Sequence, residues 1–219
     1  MHRLLLAAAG VASLALATSA EAAVTLTSGT PYSWSVNFTP TTTLGTGASG
    51  TVYFNYVNTT GNTWNFTYSV NNTSVAPSAN SQIVSFGMNT DPNATSVTNG
   101  SGDRFTAGLN EGNFNGLGVF DLCLWAGSNC NGGAGNGVTV ADGSVGGSFA
   151  LTFASSFTTL TLDNFVMRWQ ALENDGSASG PGTPGPVPEP ATWAMFIFGF
   201  TAVGYTLRRR KAYRLAQAV

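Results

Sequence analysis

From Val24 to Thr90 the chain contains no Asp, Glu, Lys, Arg or His. A stretch this long without charge has no salt-bridged helix surface to offer. Its polar residues are Thr, Ser and Asn, modest helix formers that sit well on the solvent face of a strand. Apolar and polar residues alternate along it in short runs, the period of a half-buried strand. Tyr32–Phe38 and Trp64–Val70 alternate cleanly, and Val52–Val57 does so in part. Between the second and third of these runs lies Asn58-Thr59-Thr60-Gly61-Asn62, whose Gly and Asn supply the positive φ that a hairpin connection needs.

Further strands are predicted at 82–88, 117–125, 148–153 and 158–171, the last broken near Asp163-Asn164. Seven to nine short strands with Gly, Asn and Ser loops predict an all-β fold, an antiparallel β-sandwich or jelly roll. The Gly-rich run 131–137 loses too much backbone entropy to be a regular element and is read as an exposed loop. After Leu172 the stretch 173–186 has no large apolar residue to bury and reads as a flexible Gly/Pro/Ser linker, which bounds the β domain at 23–172.

Both chain ends are apolar for reasons other than folding. His2 and Arg3 precede a Leu/Ala-rich run from Leu4 to Ala17, and Ala20-Glu21-Ala22 has the small-x-small pattern that signal peptidase reads. Residues 1–22 are therefore read as a secretory signal, cleaved after Ala22 or alternatively after Ala20. At the other end, residues 191–207 carry no formal charge and Arg208-Arg209-Arg210-Lys211 follow at once. As a helix that run spans about 25 Å, enough for one membrane crossing if the arginines snorkel and Trp193 sits at the far interface. The four cations belong on the cytoplasmic side, with 212–219 as a short cytoplasmic tail, so the β domain faces outward in agreement with the signal segment.

Within 23–186 two cations, Arg104 and Arg168, stand against eight acids: Asp91, Asp103, Glu111, Asp121, Asp142, Asp163, Glu173 and Asp175. A mildly acidic domain disfavours nucleic acid as a partner. His2 is the only histidine and Lys211 the only lysine, and neither lies in the domain. Ser-His-Asp, Cys-His and Ser-Lys nucleophile systems and His-ligated zinc are thereby excluded. A carboxylate pair of the glycosidase kind, drawn from Asp121, Asp163 and Glu173, is the enzymatic possibility left; isolated surface acids explain the same residues. Cys123 and Cys130, with Gly and Asn between them in an exported domain, are expected to form a disulfide. No cofactor is expected. Asp142-Gly143 and Asn174-Asp175-Gly176 offer oxygens to a structural calcium ion, but they follow no strict loop pattern and read as turns. Trp34, Tyr53, Trp64 and Trp125 suit either the core or stacking on sugar rings, and their places on alternating strands favour the core.

The order Val187-Pro188-Glu189-Pro190, then Trp193-Ala194, an apolar run and a basic cluster, resembles the PEP-CTERM sorting signal of Gram-negative bacteria in its Trp-Ala variant. The resemblance covers 187–211. It implies that Pro188, Glu189 and Pro190 form the recognition motif and Arg208 to Lys211 the retention signal. It also implies an exosortase partner, transient residence in the inner membrane, and delivery to the cell surface or an exopolysaccharide matrix. Together with Leu160–Gln170, the Cys123/Cys130 segment is similar to a group of PEP-CTERM proteins sharing such a cysteine pair, the cistern group, which brings no activity with it. The expected function is a non-enzymatic surface or matrix protein, with a lectin-like carbohydrate-binding module as the alternative.

Overall fold

The computed structural model describes residues 23–185 except 43–45, 111–113, 115–116, 132–134 and 173–175. The expected signal segment 1–22, the sorting segment 187–211 with its helix 191–207, and the tail 212–219 lie outside the described residues.

Eleven strands run in chain order: β1 (Val24–Thr27), β2 (Tyr32–Phe38), β3 (Gly50–Thr60), β4 (Thr63–Asn72), β5 (Gln82–Asp91), β6 (Ser96–Asn99), β7 (Thr106–Leu109), β8 (Leu122–Trp125), β9 (Ser144–Thr152), β10 (Thr159–Gln170) and β11 (Ala178–Pro184). All pair antiparallel, in the order β6-β9-β4-β3-β2-β11-β10-β5-β8-β7, with β1 alongside β10. The expected all-β antiparallel architecture is present. Two separate sheets are not: one sheet folds over on itself, and its free edges β6 and β7 meet where Asn99 Oδ1 accepts the Ala107 N–H at 2.6 Å.

The alternation read from sequence is the inside–outside pattern of the sheet. On β4, Trp64, Phe66, Tyr68 and Val70 are buried while Thr63, Asn65, Thr67 and Ser69 face partly outward. Inner side chains of the two halves meet as aromatic pairs, with the Tyr68 ring 5.5 Å from Phe86 and 6.2 Å from Phe105. β5 does not alternate because both of its faces are covered: Ile83, Phe86 and Met88 belong to the main core, while Val84, Ser85 and Gly87 are also buried. A second, small core of Phe114, Phe120, Cys123, Cys130 and Val166 lies apart from the main one.

β11 corrects the expected linker at 173–186, and with it the domain boundary at 172. Residues 178–181 pair with β10, and residues 182–184 pair with β2, so this strand joins the two halves of the sheet. Its lack of bulk is a packing requirement. A Cβ on Gly180 would collide with the Thr39 carbonyl oxygen, and one on Gly182 with the Phe38 ring and Val36. Where β11 leaves β10, β1 takes over the vacated edge, pairing Val24 with Leu162 and Thr27 with Thr159. A bulge between Asp163 and Val166, with Asn164 at φ 53°, separates the two pairings. Asn tolerates that left-handed conformation, so β10 continues as one strand through the predicted break.

Candidate functional site

The predicted disulfide is formed. Cys123 on β8 and Cys130 in the following loop are bonded, with Cα atoms 6.2 Å apart. Both sulfurs are buried in the small core, and Ser85 Oγ donates to the Cys130 carbonyl at 2.7 Å. The bridge thereby clamps the loop after β8 over the outer side of β5. Closing so short a loop is worth about 2.5 kcal/mol by the chain-entropy relation. The double variant Cys123→Ala/Cys130→Ala should lose roughly that amount in urea unfolding, and its Trp125 environment should loosen because the half-buried indole packs on this cluster.

At the same end of the fold lies a polar pocket of about 620 Å³ that sequence reading missed, lined by Gln82, Asp103, Arg104, Asn136, Thr139 and Asp142 among others. Its ion pair joins Arg104 Nη1 to Asp142 Oδ2 at 3.0 Å, with Nη2 to Oδ1 at 3.3 Å. Asp142 also accepts from the Thr139 N–H at 2.8 Å and the Thr139 hydroxyl at 2.7 Å. Thr139 and Asp142 thus cap each other around the 3-10 turn Val140–Asp142. Asp142, offered by sequence as a calcium ligand, has both oxygens engaged by Arg104 and Thr139; Asp175 lies outside the described residues. The Arg104 guanidinium, followed by the two Thr139 hydrogen bonds, holds the Asp142 carboxyl well below the usual carboxylate range. A depressed folded value means that the pair's contribution is present above the unfolded carboxylate pKa and fades as pH falls through the folded one. In an NMR titration the Asp142 carboxyl should therefore protonate at clearly lower pH in the wild-type domain than in Arg104→Met.

The other candidate residues fall as follows. Asp121 Oδ2 accepts the Thr90 N–H at 2.9 Å, and the Asp121 N–H donates to Asn89 Oδ1 at 3.4 Å. Asp163 is opposite Asn89 on the other side of β5. Asp121 is thus committed to tying β8 to β5, and Glu173 lies outside the described residues. No group of three or more His, Cys, Asp or Glu side chains gathers as a metal would require, among the described residues. Trp34 and Trp64 are buried in the main core, Trp125 is half-buried, and Tyr53 is 51% exposed.

Arg168, the second cation of the domain, sits on β10 between Ser85 and Ser179. It is 9% exposed and donates from Nη2 to Ser177 Oγ at 3.3 Å. Burial lowers its pKa from the ordinary value.

A disulfide-stapled, all-β domain thus ends with β11 just before the segment that carries the address. Ala22, Pro188, Glu189, Pro190, Trp193, Arg208, Arg209, Arg210 and Lys211 all lie outside the described residues. Residues 186–211 match the family described as the PEP-CTERM protein-sorting motif. The chain carries a PEP-CTERM sorting motif, which marks an exported protein that transits the membrane and has an exosortase as its processing partner. No curated protein and no solved structure matches the chain.

Proposed function

We propose that the chain is a non-enzymatic surface or extracellular-matrix protein whose β domain is delivered by exosortase processing of its C-terminal tail. The observation that carries this reading is the sorting motif at 186–211, placed directly after the last strand of the domain. Pro on either side of Glu189 disfavours regular helix and sheet pairing, a property that would suit recognition by an intramembrane enzyme. Pro188, Glu189 and Pro190 serve as the recognition element, and Arg208 to Lys211 hold the span in the membrane until processing. The test is fractionation of cells expressing Glu189→Ala/Pro190→Ala. Release should fall at least tenfold, with the protein accumulating in the membrane fraction; release equal to wild type would sink the reading.

A lectin-like role is the second reading, favoured by the outer face of β2, β3 and β4. The exposed Tyr53 ring there lies among uncharged hydroxyl and amide side chains. Ser33 Oγ donates to Asn55 Oδ1 at 2.6 Å, Thr51 Oγ1 to Asn37 Oδ1 at 2.9 Å and Asn55 Nδ2 to Thr67 Oγ1 at 3.2 Å. An exposed ring on an uncharged face is suited to stacking on a sugar. Saturable binding to an isolated exopolysaccharide, weakened at least fivefold by Tyr53→Ala, would separate this role from a purely structural one.

A further inference from the structure

The polar pocket lined by Gln82, Asp103, Arg104 and Asn136 is walled by chain that backbone hydrogen bonds hold in place. Ile83 and Val138 form an antiparallel bridge, each N–H donating to the other's carbonyl at 2.9 Å, and this sets the stretch 135–139 against the start of β5. Gly137 is small there of necessity, since a Cβ would come 2.7 Å from the Gln82 Cβ. On the other wall the Gly100 N–H donates to the Ser148 carbonyl at 2.9 Å, tying the turn 100–103 to β9.

The polar groups on these walls are fixed in turn. Asp103 Oδ2 accepts the Ser148 N–H at 2.6 Å. Two glycines cradle that carboxylate: a Cβ on Gly100 would lie 2.5 Å from Oδ2, and one on Gly147 2.9 Å from it. Arg104 is held by Asp142 and by the Gly137 carbonyl, which accepts from Nη1 at 3.4 Å. Gln82 and Asn136 each add a side-chain amide, with one acceptor oxygen and two N–H donors.

This lining selects a ligand by chemistry. It consists of Gly, Thr, Asn, Gln, Asp and Arg, with no aliphatic or aromatic side chain among the described residues. An apolar molecule would strip water from these polar groups and return no hydrogen bonds. Anions are disfavoured as well, because Arg104 is already paired with Asp142 and Asp103 leaves the lining with more negative than positive charge. A simple amine would meet Asp103 but leave the amide donors of Gln82 and Asn136 unused. A ligand that matches the whole set donates and accepts at several closely spaced points without carrying charge, as the neighbouring hydroxyls of a sugar do. The volume of about 620 Å³ is within the ordinary size of a small-molecule site.

We propose that this pocket binds a neutral sugar, with Asp103 accepting from adjacent hydroxyls and Arg104, Gln82 and Asn136 donating to them. The inference shares with the lectin-like reading only the class of ligand, and assigns it to residues other than those of the Tyr53 face. It makes no use of the sorting motif.

The test is saturation-transfer NMR on the full chain in a detergent without a sugar headgroup, titrated separately with glucose, galactose, mannose and N-acetylglucosamine. At least one of the four should give a saturable signal. Asn136→Ala removes an exposed amide and should weaken that sugar about fivefold, the worth of about one hydrogen bond. Asp103→Asn keeps an oxygen for the Ser148 N–H and should weaken it about tenfold, because the lost acceptor is charged. Tyr53→Ala should leave the affinity unchanged. The exposed Asn136 variant should keep the wild-type urea midpoint, so its loss of binding is read as a lost contact. No saturable signal from any of the four sugars overturns the inference, and so does binding that both pocket variants leave intact. If binding falls with Tyr53→Ala instead, the sugar belongs to the outer face of β3, and the lectin-like reading stands without the pocket.

Discussion

Gly180→Val should destabilise the domain by about 3 kcal/mol or more, a large effect for a surface-looking glycine in a Gly/Pro/Ser stretch. The added side chain has nowhere to go, because its Cβ would lie only 1.9 Å from the Thr39 carbonyl oxygen and crowd Pro40. Relief requires β11 to lift from its neighbours. That would release both the pairing of Val166 with Pro181 and the pairing of Phe38 with Gly182, and so open the joint between the halves of the sheet. Urea unfolding followed by tryptophan fluorescence measures the loss, and the exposed Thr183→Val on the same strand is the control, expected within about 0.5 kcal/mol of wild type. A flexible stalk would be indifferent to both substitutions. Equal stability of the two variants would return 178–184 to the linker first read there.

Asn72→Ala should destabilise by about 4 kcal/mol. Asn72 is 2% exposed and satisfies three backbone groups at once. Its Nδ2 donates to the carbonyls of Ser81 at 2.8 Å and Val138 at 2.9 Å, and its Oδ1 accepts the Ser74 N–H at 3.1 Å. Ser81 Oγ then donates to Ser74 Oγ at 2.9 Å, and Ser74 Oγ to the Ser49 carbonyl at 3.2 Å. Alanine leaves the buried Ser81 carbonyl and the Ser74 N–H without this partner, each worth about 1–3 kcal/mol, while the Val138 carbonyl keeps the Ile83 N–H at 2.9 Å. Asn72→Asp keeps the acceptor but turns a carboxylate towards two carbonyl oxygens, so it should be no milder than alanine. The readout is the urea midpoint at constant m-value. A loss below about 1 kcal/mol for Asn72→Ala would show that the neighbours repair the network.

What sequence reading recovered depended on how each strand buries its side chains. β2 was found with its observed bounds because Trp34, Val36 and Phe38 point inward between Ser33, Ser35 and Asn37. β1, β6 and β7 have four residues each, too few for alternation to stand out. β11 escaped for a different reason: strands are sought by bulk, and this one packs because it has none. The disulfide was legible because its cysteines are close in sequence and exported. The Arg104–Asp142 pocket was not, because its two charges lie far apart in the chain and only the fold brings them together. The address at 186–211 is written in residue order alone and so was legible without any structure.

The strand that unites the two halves of the sheet is also, among the described residues, the last one to be made. An exported chain emerges N-terminus first, so β2, β3, β4 and β9 can assemble on one side and β5, β8 and β10 on the other while the joint between them is still missing. Closure waits for residues 178–184, and the sorting motif matched at 186–211 begins within two residues of the strand's end. The strand that closes the sheet and the motif that carries the address are thus neighbours in the chain. A chain stalled before β11 would present two open sheet edges to its neighbours, and every chain that completes β11 has its sorting motif next in line.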